Sequence, residues 1–230
     1  MAVPLRQGYD IGERVADDPI VWVVDDFVSE LERSHIVELG VGNMDVALVS
    51  RLGENAASEQ RTGRVGWVAH DATPTVRSLV RRVGDLVGFP VTHAESLQVV
   101  HYGPTQEYRP HFDAWDRATP KGRQKTARGG NRAVTALMYL NDVEAGGATI
   151  FPELGIEVDA VPGRLCLFHN LREDDGGRHP GALHGGMPVI AGEKWACNLW
   201  FREQRYRRGA ATSGRTTSAG AGPARRKKRR

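Results

Sequence analysis

Between Glu95 and Phe201 the chain reads SLQVVHYG (96–103), YRPHFDAW (108–115), AVTALMYLN (133–141), ATIFP (148–152), RLCLFH (164–169), MPVI (187–190) and KWACNLWF (194–201). The runs are short, rich in β-branched, aromatic or aliphatic residues, and separated by Gly, Pro and Asn, the punctuation of strands and turns. A succession of such strands predicts a sandwich or barrel. A stretch from Arg117 to Arg132, with six Lys or Arg and no acid, interrupts them. No internal repeat is present.

Upstream, IVWVVDDF (20–27) has the apolar, β-branched character of a buried strand. Ser29 with Glu32 then forms a capping-box pattern for a helix ending near Gly40. A second helix is signalled by Thr73 as N-cap and Pro74 at the first helical position. Val76, Leu79, Val80, Val83 and Val87 follow at helical spacing, before Gly88 and Pro90. That apolar stripe is expected to lie on the sheet. The whole is read as mainly β with supporting helices.

The length of 230 residues fits one generous domain, and 40% hydrophobic with 26% charged residues is enough apolar material for a real core. No apolar run approaches the roughly 18 residues of a membrane-spanning helix, and the start MAVPLRQGYDIGE lacks the pattern of a signal peptide. A soluble, cytoplasmic protein without membrane contact is expected. Cys166 and Cys197 are too few for a disulfide scaffold and read as reduced packing residues.

The net charge of +3 averages two different objects. Residues 202–230 hold eleven Lys or Arg against the single acid Glu203, leaving 20 basic and 27 acidic residues before them, so the body carries −7 and the tail +10. From Arg207 the chain is dominated by Gly, Ala, Ser, Thr and Arg and ends in ARRKKRR, a composition that cannot bury enough apolar surface to order itself. The expected organisation is a folded domain over 1–206 and a disordered basic tail over 207–230. The tail reads either as an electrostatic contact for nucleic acid or another polyanion, or as a solubilising segment.

The chemistry starts in YRPHFDAW. His111 and Asp113 are two apart, and on a strand positions i and i+2 project from one face. Eight His and fourteen Asp in 230 residues give roughly 0.5 such pairs by chance, so the pair alone decides nothing. A third candidate is His184, in LHGGMPVIAGEKWACNLW, where adjacent glycines let backbone crowd a centre. Two imidazoles and one carboxylate on one face of a metal are the ligand set of non-haem Fe(II) oxygenases, with positions left open. A keto acid such as 2-oxoglutarate can occupy two of these and needs a cation for its far carboxylate. Lys194, ten residues after His184 at the start of an apolar aromatic strand, is the candidate, because an unpaired buried charge is costly. Thr135 and Tyr139 alternate onto one face of AVTALMYL, and Tyr102 precedes the HxD; each is either a co-substrate hydrogen-bond donor or an ordinary core hydroxyl. His179 lies in a polar loop. His101 reads as packing or surface, and His35, His70, His93 and His169 as structural. HExxH, CxxC, GxSxG and phosphate-cradling glycine loops are absent, which removes hydrolase and kinase readings.

The runs HYGPTQEYRPHFD (101–113), NRAVTALMYLNDVEAGGATIFPE (131–153) and ALHGGMPVIAGEKWACNLWF (182–201) together resemble the catalytic domain of the prolyl 4-hydroxylase family of Fe(II)- and 2-oxoglutarate-dependent dioxygenases, over about residues 20–205. The resemblance implies a double-stranded β-helix, or jelly-roll. It implies His111, Asp113 and His184 as iron ligands, Lys194 on the 5-carboxylate of 2-oxoglutarate, and Tyr102, Thr135 and Tyr139 lining the co-substrate pocket. It further implies hydroxylation of an unactivated C–H, favouring a prolyl residue of a peptide or protein, with succinate and CO2 released and ascorbate as the reductant that restores Fe(II). QRTGRVGW (60–67) resembles the family's mobile lid, making Arg61 a candidate substrate contact with Tyr108, Arg132 and Trp200. Thr105 stands where the family usually has Gly before the residue matched by Gln106. The alternatives are a free amino acid or small metabolite as substrate, or a cupin-like or peptide-binding module without keto-acid chemistry.

Overall fold

The structure is a computed structural model that describes residues 3–46, 48–51, 54–57 and 61–206. In chain order its elements are β1 (Glu13–Asp17), β2 (Ile20–Val24), α1 (Glu30–Val41), β3 (Met44–Val46), β4 (Leu48–Arg51), β5 (Glu54–Ala57), β6 (Arg64–Val68), α2 (Pro74–Val87), β7 (Leu97–Tyr102) and β8 (Tyr108–His111). There follow α3 (Pro120–Thr126), β9 (Arg132–Tyr139), β10 (Ala145–Gly146), β11 (Thr149–Phe151), β12 (Ile156–Val158), β13 (Leu165–His169), β14 (His184–Gly186), β15 (Val189–Ala191) and β16 (Lys194–Arg202). The basic tail at 207–230 lies outside the described residues, and so does the disorder expected of it.

Both expected helices form for the reasons their sequences give. The Ser29 hydroxyl and the Glu32 carboxylate close the capping box of α1. Thr73 Oγ1 accepts from Val76 N at 3.2 Å to start α2, and Gly88 ends it at φ +76°, a left-handed position that glycine takes without strain. The stripe Val76, Leu79, Val80, Val83 and Val87 is buried. A third helix, α3, was not expected within the basic stretch; it is opened by Thr119 followed by Pro120, the same Thr-Pro signal that opens α2.

The main sheet has strand order β1-β2-β13-β9-β16-β7-β6-β3, and a smaller sheet has order β12-β11-β14-β8. The named strand pairings within both are antiparallel. Strand alternation divides the core in two. Ala136, Met138, Leu165, Leu167, Cys197, Leu199 and Phe201 pack with the stripe of α2 and with Ile36 of α1. The intervening residues, among them Leu137, Tyr139, Cys166, Phe168 and Ala196, pack instead with Phe151 and Val158 of the smaller sheet. Two antiparallel sheets face to face, with helices on the outer side of the larger one, make the expected jelly-roll. Cys166 and Cys197 are buried free thiols, as their packing role requires.

The segment likened to a mobile lid is, from Arg64 onward, strand β6, hydrogen-bonded between β7 and β3. The reason is steric and apolar: Val65 and Val68 are buried, and a Cβ on Gly66 would stand 2.4 Å from the Gly40 carbonyl, so α1 rests directly on this strand. Gln60, at the start of that segment, lies outside the described residues.

Candidate metal and co-substrate site

The register of the smaller sheet creates the site. His184 on β14 is the direct antiparallel partner of His111 on β8, which sets their rings 4.4 Å apart. β8 ends at His111, so Asp113 is presented by the turn after the strand rather than by the strand itself. Asp113 nonetheless reaches both rings, with Oδ1 3.8 Å from His111 Nε2 and Oδ2 3.6 Å from His184 Nε2. Among the described residues this trio is the group of His, Cys, Asp or Glu side chains able to hold a metal ion, with donor atoms all within 4.8 Å of one another.

The protonation of the trio suits a cation. His111 Nδ1 lies 3.1 Å from the Arg109 carbonyl and His184 Nδ1 lies 3.0 Å from the Ala182 carbonyl. A ring whose Nδ1–H is given to a carbonyl keeps the lone pair on Nε2, the atom that faces Asp113. Burial, reinforced by the neighbouring His184, pushes the His111 pKa down to about 3 and keeps it neutral. For Asp113 burial works against ionisation, but His184, Arg132, His111 and the Trp200 N–H together hold it at about 2. Thr135 Oγ1 donates to Asp113 Oδ2 at 2.7 Å and Trp200 Nε1 donates to the same oxygen at 2.8 Å. Tyr108 stacks on His111 at 3.6 Å, and Phe168 packs against the His184 ring at 4.5 Å.

Beside the trio lies a cavity lined by Arg61, Tyr102, Tyr108, Arg132, Lys194 and Trp200, so six of the expected residues share one space with the ligands. Lys194 is only 4% exposed and donates to the Gly147 carbonyl. Burial lowers its pKa to about 8. No carboxylate among the described residues pairs with Lys194 or with the equally buried Arg61. The Arg61 Nε donates instead to the Tyr102 hydroxyl at 3.0 Å, and its guanidinium lies 4.7 Å from the centre of the Tyr108 ring. Neither of these two buried cations has a carboxylate partner, a role that an anionic ligand would fill.

Of the residues expected at the co-substrate, Thr135 and Tyr139 stand behind the cavity lining, each bonded to a residue of it. The Thr135 hydroxyl is committed to Asp113, and the Tyr139 hydroxyl donates to Thr149 Oγ1 at 2.8 Å. Thr149 lines the cavity in their place, together with Gln98 and Asn198. Alternation back from Tyr102 along β7 points to Gln98, whereas nothing in the sequence points to Thr149. Glu95 is a further residue the sequence reading missed. It is buried and binds Arg132 through two hydrogen bonds of 2.8 and 3.0 Å and Arg202 through one of 2.8 Å. Against the burial that opposes ionisation, these two guanidiniums hold the Glu95 carboxyl below its usual range. They also fix the Arg132 guanidinium 3.5 Å from the centre of the Trp200 ring. The remaining histidines have other partners: His179 meets Asp18 at 2.9 Å, His101 meets Glu193 at 2.7 Å, and His169 meets the Tyr9 hydroxyl at 2.9 Å.

A sequence profile of the 2OG-Fe(II) oxygenase superfamily matches residues 97–202. Probable prolyl 4-hydroxylase 10 of Arabidopsis thaliana is 32% identical over 216 residues, covering 85% of this chain and 73% of that protein. The chain belongs to the prolyl 4-hydroxylase family of 2-oxoglutarate- and Fe(II)-dependent dioxygenases. A second family member, probable prolyl 4-hydroxylase 3 of the same organism, is 30% identical and covers 88% of this chain and 76% of its own length. Among solved structures, the 2OG complex of the viral collagen prolyl hydroxylase vCPH from Paramecium Bursaria Chlorella virus-1 superposes with a TM-score of 0.62 at 22% identity. That match covers 79% of this chain and 95% of the other. A Pseudomonas putida prolyl-4-hydroxylase superposes with a TM-score of 0.54 at 20% identity over 82% of this chain and 93% of that one. At those identities the two superpositions bear on the fold alone, and they agree with the jelly-roll described above.

The donor set of this dioxygenase fits its family's cofactor. Two imidazole nitrogens and one carboxylate converge from one side, leaving the cavity side open for a co-substrate. The uncompensated ammonium of Lys194 stands within that cavity, where a dicarboxylate's far end would need it.

Proposed function

We propose that this dioxygenase hydroxylates prolyl residues of a peptide or protein, with His111, Asp113 and His184 holding Fe(II) and Lys194 holding the far carboxylate of 2-oxoglutarate. Fe(II), with 2-oxoglutarate and dioxygen, supplies the oxidant that places a hydroxyl on an unactivated C–H as succinate and CO2 leave. What the chain adds is placement. His111 and His184 offer Nε2 because their Nδ1 protons are held by carbonyls, and Asp113 stays ionised throughout the physiological range. Tyr102 accepts from Arg61, which leaves its own hydroxyl hydrogen free for the co-substrate, and Thr149 is the second hydroxyl placed to serve it. Phe168 and Phe151, packed on His184, keep water from that side of the centre.

Arg61, Tyr108, Arg132 and Trp200 form the remaining wall and are the substrate contacts of this reading. The observation that carries it is the sharing of one cavity by the three ligands, an unpaired buried lysine and this aromatic and guanidinium wall. The prolyl target rests on the names of the relatives, several of which are prolyl 4-hydroxylases. Ascorbate, as the reductant restoring Fe(II) after uncoupled turnover, rests on the family resemblance. The cytoplasmic placement is supported by two free, buried thiols; no helix among the described residues is long and apolar enough to cross a membrane. The tail over 207–230, with nine Lys or Arg and no acid, would add salt-sensitive polyanion binding that its deletion removes.

The deciding experiment is anaerobic loading with Fe(II) and 2-oxoglutarate, then admission of oxygen with proline-containing peptides. Succinate release stimulated by peptide, with one oxygen gained on proline by mass spectrometry, is expected. Stimulation by free amino acids and not by peptides would overturn the peptidyl substrate, and no succinate under any condition would overturn the chemistry.

A further inference from the structure

Behind Asp113, on the side away from the cavity, stands Asn170, fully buried in the loop after β13. Its backbone is pinned from two directions, since Asn170 N donates to the Ala133 carbonyl at 2.9 Å and its own carbonyl accepts from His179 N at 2.9 Å. The side chain is therefore aimed by the fold. Asn170 Nδ2 donates to Thr135 Oγ1 at 2.8 Å, and Thr135 Oγ1 donates to Asp113 Oδ2 at 2.7 Å.

The direction of this chain of bonds matters. A hydroxyl has one hydrogen to give. Because the amide of Asn170 donates to Thr135, the hydroxyl hydrogen is left for the carboxylate. Were the amide turned over, Oδ1 would take that hydrogen, and Asp113 Oδ2 would keep only the Trp200 donor. The orientation present leaves Asn170 Oδ1 buried without a hydrogen-bond partner. An orphaned buried acceptor is destabilising, and such groups in native proteins call for an explanation beyond packing. Serving a metal-ligand carboxylate at a distance is that explanation, since outer partners orient the ligands they touch.

We propose that Asn170 is a positioning residue for the metal centre, acting through Thr135 to fix the Asp113 carboxylate. The inference rests on the metal-centre reading, and the test separates the two. The full chain is titrated with Co(II), followed by visible absorption, and the melting temperature of the metal-free protein is recorded alongside. Absence of Co(II) binding by the wild type would mean that the metal centre itself is wrong.

With wild-type binding established, Asn170→Leu, which keeps the branched shape but cannot donate, is expected to bind Co(II) about 10-fold more weakly. Its metal-free melting temperature should be unchanged or higher, because the orphaned oxygen is gone. Thr135→Val should weaken Co(II) to a similar degree and Thr135→Ser should restore it. The Thr135→Val/Asn170→Leu double variant should lose no more than the worse single one, because both cut the same relay. Asn170→Ala serves where the leucine does not fold. Wild-type Co(II) affinity in a folded Asn170 variant would overturn the inference, as would fully additive losses in the double variant. Unfolding of both Asn170 variants would overturn it as well, by making the residue structural.

Discussion

Along β16, Cys197, Leu199 and Phe201 point toward the helices without exposed surface, whereas Lys194, Ala196, Asn198 and Trp200 face the cavity. The two faces of one strand answer to different physics. On the helix side, apolar area is removed from water and packed at high density, and the gain is stability. On the cavity side a lysine and an amide are held in a place where an apolar residue would be cheaper, so those positions lower stability for the sake of a ligand. β9 repeats the division, with Ala136 and Met138 on the helix side and Leu137 lining the cavity. Folding and binding are thus written on alternate residues of the same strands, and substitutions one residue apart should damage different properties.

The sharpest way to break that division is a pair of variants. Asp113→Asn keeps an acceptor for Thr135 and Trp200 but removes the charge. It should lower metal affinity by about 100-fold or more, beyond what outer partners contribute, while the metal-free melting temperature stays near the wild type. Leu199→Ala should do the reverse, costing about 2–5 kcal/mol of unfolding free energy in urea titrations and leaving metal affinity unchanged. A folded Asp113→Asn that binds metal normally would end the ligand assignment; a Leu199→Ala that lost metal without losing stability would end the two-face argument.

Lys194 tests the cavity face alone. Lys194→Ala should weaken 2-oxoglutarate binding by about 2–5 kcal/mol, the cost of truncating one partner of a buried charge pair. The pH dependence has a defined sign. Burial brings the Lys194 pKa down to about 8, so its cation is present below that pH and is lost as pH rises through it. The wild-type KM for 2-oxoglutarate should therefore climb above about pH 8, while Lys194→Arg, charged throughout, should stay flat. A wild-type KM independent of pH across that window would remove Lys194 from the co-substrate site.

Much of this was legible in the sequence because it depends on local rules. Caps at Ser29 and Thr73, the stripe of α2 and the alternation of β16 each need only a few neighbouring residues to be read. His111, Asp113, His184 and Lys194 stand in short runs whose order identifies them. What was not legible depends on pairing across the chain. Alternation placed Thr135 and Tyr139 on the inner face but could not say that Asp113 and Thr149 would take up their hydroxyls. Thr149 lies on a three-residue strand with no pattern of its own. Glu95 gains meaning only when β9 and β16 bring Arg132 and Arg202 to it, and Asn170 only when β13 lies beside β9. The helix α3 has the Thr-Pro opening of α2 but no apolar stripe, so the stronger of the two helix signals was missing.

The smallest effect sharpens the comparison from outside both faces. Thr105 belongs to the turn joining β7 to β8 and has φ +67°, a left-handed conformation that a β-branched residue adopts only under constraint. The constraint is visible: Thr105 N donates to the Val189 carbonyl at 2.8 Å, Gln106 Oε1 accepts from Gly103 N at 2.8 Å, and Gln106 Nε2 donates to the Thr62 carbonyl at 2.9 Å. These bonds hold the turn whatever side chain stands at 105. A left-handed L-residue costs roughly 1–2 kcal/mol, and glycine gives back part of that relief through the greater freedom of its unfolded chain. Thr105→Gly should therefore stabilise the protein by about 1 kcal/mol, read as a higher urea midpoint with an unchanged slope, since the native surface is the same. Because the turn touches neither the metal ligands nor the helix-facing core, metal and 2-oxoglutarate affinities should not move. A Thr105→Gly variant less stable than the wild type would show that the threonine side chain contributes contacts worth more than the strain it imposes.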